Sequence, residues 1–185
     1  MVPTVHPEAA KSWAMLVDRL ESEENPVFRR NLSIVAEHVV AEVAGDLDAL
    51  MATVVSDPVY RFWGGAALRT LHDREEVRAF YVDSVSTGKN RLAFDISRVV
   101  VDSNTVITEG VFKHAYLGRN LPGALLDGKP LESDSWYLAR YQALVVWPIS
   151  GDGLIEGEDI YLGQPHQVVR CLESEELPHL GLTVR

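Results

Sequence analysis

The sequence predicts an α+β fold, in which helices fill the first half of the chain and strands fill the second. Apolar residues recur at helical spacing as far as about Gly88, and long strand-like runs follow from there to Gly163. Two of the connections between these runs are short and contain Gly or Asn, as in antiparallel hairpins. Helices followed by consecutive antiparallel strands are typical of the α+β class.

The first predicted helix runs from Pro7 to Glu21 and ends near the polar stretch ESEEN. Four of its apolar residues recur at helical spacing: Trp13, Leu16, Val17 and Leu20. We interpret this helix as an accessory element that precedes the main domain.

A longer helix is predicted to begin after Asn25, which can cap it, with Pro26 at the first helical position. The helix passes through His38, and Gly45 is a natural residue to end it. Asp46 can then cap a short helix that we expect to end at the pair Asp57-Pro58.

The stretch VYRFW that follows is β-branched and aromatic, and it predicts a strand that directs Tyr60 and Phe62 inward. Gly64 and Gly65 then open a loop. Asp73, followed three residues later by Glu76, resembles a capping box and predicts a third helix of the main domain.

The second half of the chain is predicted to form four long strands, with a longer excursion before the third of them. Their sequences are RLAFDISRVVVD, TVITEGVFKHAYL, SWYLARYQALVVWPI and GLIEGEDIYLG. The tail from Gln164 is too irregular for an assignment.

Composition excludes several classes of function. The formal charge of −10 comes without a basic block, so binding to nucleic acid or to anionic lipid is not favoured. The histidines lack a metal-binding spacing, and Gly64-Gly65 is not followed by the Lys-Ser/Thr of a phosphate loop. We therefore expect no metal and no cofactor.

The cellular context is predicted from what the sequence lacks. Cys171 is the only cysteine and cannot form an internal disulfide, and the N-terminus has no signal-peptide pattern. No apolar run approaches the roughly 20 residues that span a bilayer. A soluble cytoplasmic protein is the expectation.

Five stretches in this order resemble one superfamily: AGDLDALM, SDPVYRFWGG, EEVRAFY, VVVDSNTVITEG and GDGLIEGEDIYLG. They are similar to the SnoaL-like and ketosteroid-isomerase-like branches of the nuclear transport factor two-like (NTF2-like) superfamily. The resemblance implies a strongly curved antiparallel sheet that wraps the helices as a cone and encloses an apolar cavity. It implies a SnoaL-like domain over residues 26–163, an accessory helix in 1–25 and a C-terminal extension in 164–185.

The resemblance also allows the isomerase site to be compared position by position. Aligned on GDLD, the general base of the isomerases falls on Phe62. Aligned on the last hairpin at Asp152-Gly-Leu-Ile155, the carboxylic acid of their oxyanion site falls on Val145. The oxyanion tyrosine falls on His38, and the tyrosine that supports it falls on Tyr81. Because both carboxylates are absent, we exclude ketosteroid isomerisation by that route.

Strand alternation predicts which side chains line the cavity, because residues two apart point to the same face. The predicted lining is mostly aromatic, as is usual for a small-molecule pocket. The candidate ligand contacts are Tyr60, Phe62, Phe112, Tyr141, Val145 and Trp147.

The candidate acid–base groups are His38, Tyr81, Glu158 and His114. Glu158 is the one carboxylate predicted on the cavity face and is the candidate general base, unless a register slip of one residue places Asp159 there instead. His38 can act as an acid or base held by Tyr81, or it can be a core histidine satisfied by that tyrosine. His114 can approach a ligand or can be a half-exposed residue near a strand end.

Two functions stay open. The chain can be a cofactor-independent isomerase, cyclase or dehydratase acting on a small hydrophobic molecule, aromatic or polycyclic. Alternatively, it can be a non-catalytic module for ligand binding or dimerisation. In either case we expect a homodimer that uses the exposed face of the sheet.

Overall fold

The computed structural model describes residues 4–5, 13–64, 69–173 and 182–183. Within these ranges the helices are α1 (Ala14–Ser22), α2 (Pro26–Ala44), α3 (Leu47–Ala52) and α4 (Arg74–Ser86). No helix in this part of the chain combines the length and the apolar character of a membrane span.

The strands of the main sheet follow the predicted order. They are β2 (Val54–Trp63), β3 (Arg69–Leu71), β4 (Leu92–Val101), β5 (Thr105–Leu117), β8 (Trp136–Pro148), β9 (Ile155–Leu162) and β10 (Gln167–Leu172). Short strands pair outside it: β1 (Thr4–Val5) with β11 (Leu182–Thr183), and β6 (Leu125–Leu126) with β7 (Lys129–Pro130). The main sheet has the order β3-β2-β9-β8-β5-β4, with β10 beside β8. The α+β fold with helices inside a curved sheet is confirmed.

The predicted caps of α2 and α4 are confirmed. The side chain of Asn25 accepts hydrogen bonds from the backbone N–H groups at the start of α2, and Gly45 ends that helix with a left-handed φ of 70°. Asp73 caps α4 by accepting from the N–H of Glu76 at 2.8 Å. Helix α1 begins at Ala14, and residues 7–12 of the predicted first helix lie outside the described residues, as does Gly65.

The predicted end of the short helix at Asp57-Pro58 is wrong. Helix α3 ends at Ala52, and strand β2 begins at Val54 and runs through Pro58. The β-branched residues Thr53 to Val55 favour extended backbone. The register between β2 and β9 shifts between Val54 and Val59, and such an irregularity tolerates a proline that cannot donate to the ladder.

The sheet is mixed, whereas the sequence predicted antiparallel pairing throughout. Strands β2 and β9 run parallel, with Tyr60 opposite Glu158 and Phe62 opposite Ile160. The two strands are far apart in sequence, and a long connection can bring a strand back in the same direction as well as in the opposite one.

The C-terminal extension continues the sheet. Strand β10 pairs with β8 over Trp136 to Arg140, while β9 pairs with the same side of β8 over Ala143 to Val146. The link between β9 and β10 therefore runs along the edge of β8, beside Tyr141 and Gln142. It places His166 beside Tyr141, at a ring-centroid distance of 4.3 Å.

Two large hydrophobic clusters form most of the core of the described residues, and a small third one joins Ala115 and Leu172. The larger of the two large clusters contains residues of α1, α2, β4, β5, β8 and β9, and the smaller of the two joins α2, α3, β2, β3 and α4. Leu16 of α1 is fully buried in the larger cluster, so this helix contributes to the main core.

Gly157 of β9 marks a close approach between β9 and β2, because a Cβ there would clash with the carbonyl oxygen of Val59. We expect Gly157→Ala to lower the free energy of unfolding by about 2 to 3 kcal/mol, since neither backbone can move without breaking the sheet. Gly151→Ala is the matched control, because no atom lies within 4 Å of a Cβ at that site. Urea unfolding of both variants checks this, and equal stabilities would contradict it.

Candidate functional site

A cavity of about 270 Å³ lies between the two core clusters. Its walls come from α2, α4 and the strands β2, β4, β5, β8 and β9, and they are mainly apolar. The volume lies near the lower end of the roughly 300 to 1,000 Å³ that is usual for small-molecule sites. The space therefore suits a compact ligand.

Most of the predicted ligand contacts line this cavity: Phe62, Phe112, Tyr141, Val145 and Trp147. Tyr60 does not. It is fully buried in the smaller cluster behind Tyr81, whose ring it meets edge to face at 6.1 Å. Its hydroxyl is buried without a hydrogen bond to any described residue.

Glu158 faces the interior, as predicted, and is only 6% exposed. Its Oε1 accepts a hydrogen bond from the Tyr81 hydroxyl at 2.7 Å and lies 3.2 Å from Nε2 of His38. The neighbouring Asp159 pairs instead with Arg61 at 3.2 Å. The register slip that the sequence left open does not occur.

His38 lies behind Glu158 and Tyr81 rather than on the cavity wall. Its side chain is fully buried, and both ring nitrogens have partners: Nε2 lies 3.0 Å from the Tyr81 hydroxyl, and Nδ1 lies 2.6 Å from Oγ1 of Thr53. The structure thus brings His38, Tyr81 and Glu158 together, but only the last two line the cavity.

Glu42 is a cavity residue that the sequence analysis missed. It is half-buried, lines the cavity, and has no hydrogen bond or ion pair with any described residue. Burial, together with the negative charge of Glu158, raises the pKa of Glu42 to about 8. It lies four residues after His38 on α2. Residues four apart lie on the same face of a helix, so the spacing from His38 could have predicted that Glu42 faces inward.

His114 also lines the cavity, far from Glu158. Its Nε2 contacts the carbonyl oxygen of Lys89, which can only accept, so Nε2 carries the proton. Nδ1 therefore accepts from the Tyr141 hydroxyl, 3.2 Å away. Burial lowers the pKa of His114 to about 3, so the ring is neutral near pH 7 and orients Tyr141 rather than exchanging protons.

A second polar group at this end of the cavity comes from the C-terminal extension. The His166 ring nitrogen Nε2 lies 3.4 Å from the Tyr116 hydroxyl, and both residues line the cavity. Burial lowers the pKa of His166. The irregular sequence around Gln164 gave no signal for this placement.

Charged side chains surround the same cavity. The guanidinium of Arg69 lies over the rings of Phe62 and Phe80, at 5.9 and 5.4 Å from their centroids. Lys89 pairs with Asp83 at 2.8 Å. Within the described ranges, no group of three or more His, Cys, Asp or Glu side chains is arranged to hold a metal ion.

The carboxyl groups of this cavity stand at other positions than those of the isomerases. Phe62 and Val145, which occupy the positions of the isomerase carboxylates, both line the cavity. The cavity nevertheless contains carboxyl groups: besides the exposed Asp83, which pairs with Lys89, these are Glu158 from β9 and Glu42 from α2. Acid–base groups are therefore present at positions that the alignment did not identify.

Comparisons with known proteins agree with this architecture. Residues 35–142, more than half of the chain, match the family of SnoaL-like domains. No curated protein matches the chain.

Solved structures show the same fold at low sequence identity. A SnoaL-like polyketide cyclase from Jannaschia sp. CCS1 has a TM-score of 0.56 at 16% identity, over 77% of this chain and 91% of that one. A phenazine biosynthesis-related protein from Pseudomonas aeruginosa has a TM-score of 0.56 at 14% identity, over 81% and 87%. An epoxide hydrolase from M. tuberculosis has a TM-score of 0.51 at 16% identity, over 74% and 85%. The chain belongs to the family of SnoaL-like domains.

Proposed function

We propose that the chain is a cofactor-independent enzyme of the isomerase, cyclase or dehydratase kind, acting on a compact hydrophobic molecule. One observation carries this proposal: besides the exposed Asp83, an apolar cavity contains two carboxyl groups in different environments. Glu158 is hydrogen-bonded to Tyr81 beside His38, whereas Glu42 has no partner among the described residues and keeps its proton near pH 7. A buried carboxyl group whose pKa is raised toward neutrality is a candidate acid for such a site.

In this proposal Glu158 is the general base. It takes a proton from a carbon or oxygen atom of the substrate, while Tyr81 holds its carboxylate in place. Glu42 donates a hydrogen bond or a proton to the substrate oxygen that gains negative charge. Ketosteroid isomerases use a protonated carboxylic acid in an apolar site for the same purpose, and here the group stands on a different element.

The structural relatives support the reaction class without defining it. Two of them are named a polyketide cyclase and an epoxide hydrolase. Ring closure onto a carbonyl and opening of an epoxide both need two proton transfers. One proton leaves the attacking carbon or oxygen atom, and another reaches the oxygen that gains negative charge. An acid and a base in one dry cavity meet that requirement.

Glu158→Gln and Glu42→Gln should each slow proton exchange at the carbon next to the carbonyl group of 2-tetralone, a compact bicyclic ketone. The expected loss is about 10² to 10⁴ in rate, the usual contribution of a positioned acid or base. Exchange is followed by NMR in D2O.

Glu156→Gln is the control, because Glu156 is an exposed residue of the same strand. The proposed function would be contradicted if both cavity variants kept the wild-type rate of 2-tetralone exchange and the wild-type rate of ring opening for a panel of small epoxides.

The protonation of Glu42 predicts a pH dependence of stability that requires no substrate. Its folded-state pKa of about 8 lies above the ordinary value of 4.5, so the folded protein retains a proton that the unfolded chain releases. Relative to Glu42→Gln, the wild type should lose stability as pH rises from about 4.5 to about 8, by about 2 kcal/mol in total.

Thermal or urea unfolding of both proteins between pH 4 and pH 9 measures this difference. A constant difference over that range would show that Glu42 ionises normally in the folded protein. Turnover that requires the proton of Glu42 should fall as pH rises, with the same midpoint near pH 8.

Ligand binding without catalysis is the second candidate function. It is favoured by the apolar residues Phe62 and Val145 at the isomerase carboxylate positions and by the neutral ring of His114. This function predicts binding of 2-tetralone with a negative heat-capacity change and no exchange or conversion. Measured turnover of any bound ligand would exclude it.

We also propose a homodimer through the outer face of the sheet. Val100 on β4 and Tyr161 on β9 are large apolar residues with 50% and 43% exposure. Sedimentation velocity at micromolar concentration should give the mass of two chains, and Val100→Glu should shift it toward one. A wild-type monomer under these conditions would contradict the proposal.

A further inference from the structure

A buried chain of polar contacts continues behind the cavity wall. It runs from Glu158 to Nε2 of His38, then from Nδ1 of His38 to Oγ1 of Thr53 at 2.6 Å, and from Thr53 to the carbonyl oxygen of Leu50 at 2.6 Å. His38 and Thr53 are buried, and neither lines the cavity. The contact between Thr53 and the carbonyl oxygen of Leu50 fixes the direction of the other hydrogen bonds.

The carbonyl oxygen of Leu50 can only accept a hydrogen bond. The single hydroxyl proton of Thr53 must therefore lie between Oγ1 and that oxygen, because otherwise two lone pairs would face each other at 2.6 Å. Oγ1 can then only accept from Nδ1 of His38. The Nδ1 atom of His38 carries a proton in every protonation state of this arrangement.

The other side of the ring meets two oxygens. Nε2 of His38, Oε1 of Glu158 and the Tyr81 hydroxyl lie 2.7 to 3.2 Å from one another. Hydrogen bonds along these contacts require two protons among the three atoms. One belongs to Tyr81, and the other lies either on Nε2, giving an imidazolium and a carboxylate, or on Glu158, giving two neutral groups.

The groups around His38 come from several elements. Tyr81 on α4 and Glu158 on β9 face Nε2, Thr53 faces Nδ1 after α3, and the neutral Trp147 of β8 lies edge-on at 5.6 Å. Glu42 lies one turn further along the same helix as His38. Glu158 is thus the one carboxyl group in hydrogen-bond reach of the ring among the described residues.

We infer that Thr53 is a positioning residue that fixes the proton of His38 on Nδ1, so that His38 and Glu158 share one proton through Nε2. Where one ring nitrogen of a histidine is fixed by a hydrogen bond, the other nitrogen is committed to its partner. The inference concerns the resting protein, and only its consequence for turnover rests on the proposed function.

In the reaction, the imidazolium of His38 would act as a positive counter-charge to the substrate anion. When Glu158 takes a proton from the substrate, its carboxylate becomes a carboxylic acid and the electron pair of the broken bond stays on the substrate. His38 keeps its proton on each nitrogen, and its positive charge balances the negative substrate. Return of the proton from Glu158 to the substrate restores the resting state.

The test is ¹⁵N NMR of His38 in the wild type and in the variants Thr53→Val and Thr53→Ser, recorded from pH 5 to pH 9. The wild type and the serine variant should show a protonated Nδ1 throughout. The valine variant should lose this signature and show a neutral ring with its proton on Nε2. Thr87→Val is the matched control, because the Thr87 hydroxyl also donates to a helix carbonyl, that of Asp83, at 2.6 Å but contacts no histidine.

A proton on Nε2 alone in the neutral ring of the wild type would overturn the inference, as would identical spectra for the valine and serine variants. If the valine variant does not fold, the wild-type and serine spectra still decide the position of the proton.

Kinetics separate this inference from the proposed function. For 2-tetralone exchange, Thr53→Val should lower kcat at least about tenfold with little change in KM and shift the pH profile, whereas Thr53→Ser should restore both. Full exchange activity in Glu158→Gln would end the proposed function but would leave the NMR result intact. Normal kinetics and a normal pH profile in Thr53→Val, with activity lost in Glu158→Gln, would overturn the inference alone.

Discussion

The site depends on the burial of one carboxyl group, because a carboxylate can leave water only when other groups replace its hydrogen bonds. Glu158 obtains these partners from elements that are distant in sequence: Tyr81 from α4 and His38 from α2. His38 is held in turn by Thr53 at the end of α3. The relative positions of three helices and β9 are therefore tied to the same few hydrogen bonds. A chemical requirement of the site is also a constraint on the fold.

The cavity itself results from how the two core clusters pack. Aromatic residues such as Phe62, Phe80 and Phe112 cover its walls, and their large faces leave a compact space between α2 and the sheet. The polar groups concentrate at two places, with Glu158 near one end and His114 near the other. Glu42 lines the same cavity from α2, and the negative charge of Glu158 contributes to its raised pKa. The cavity wall therefore combines aromatic faces with carboxyl groups and a tyrosine oriented by His114.

The comparison with the isomerases shows that carboxyl groups can line the cavity of this fold at other positions. At the aligned carboxylate positions this chain has Phe62 and Val145, which fill space. Carboxyl groups reach the same cavity from α2 and from another position on the sheet. Function therefore follows from side chains that share a cavity rather than from aligned positions. The C-terminal extension adds to this, because the link before β10 brings His166 against Tyr116.

Sequence patterns alone predicted the order of the helices and of the long strands, the caps Asn25 and Asp73, and a carboxyl group that faces inward from Glu158 or, after a register slip, from Asp159. These features follow from local capping and from alternation, which neighbouring residues encode. The sequence also indicated the family through short motifs in a fixed order. Only the tertiary structure decided the parallel pairing of β2 with β9, the strand through Pro58 and the exclusion of Tyr60 from the cavity. Only the tertiary structure revealed Glu42, Thr53 and His166 as parts of the site. Their roles arise from contacts between residues far apart in the chain, and such contacts leave no periodic signal in the sequence.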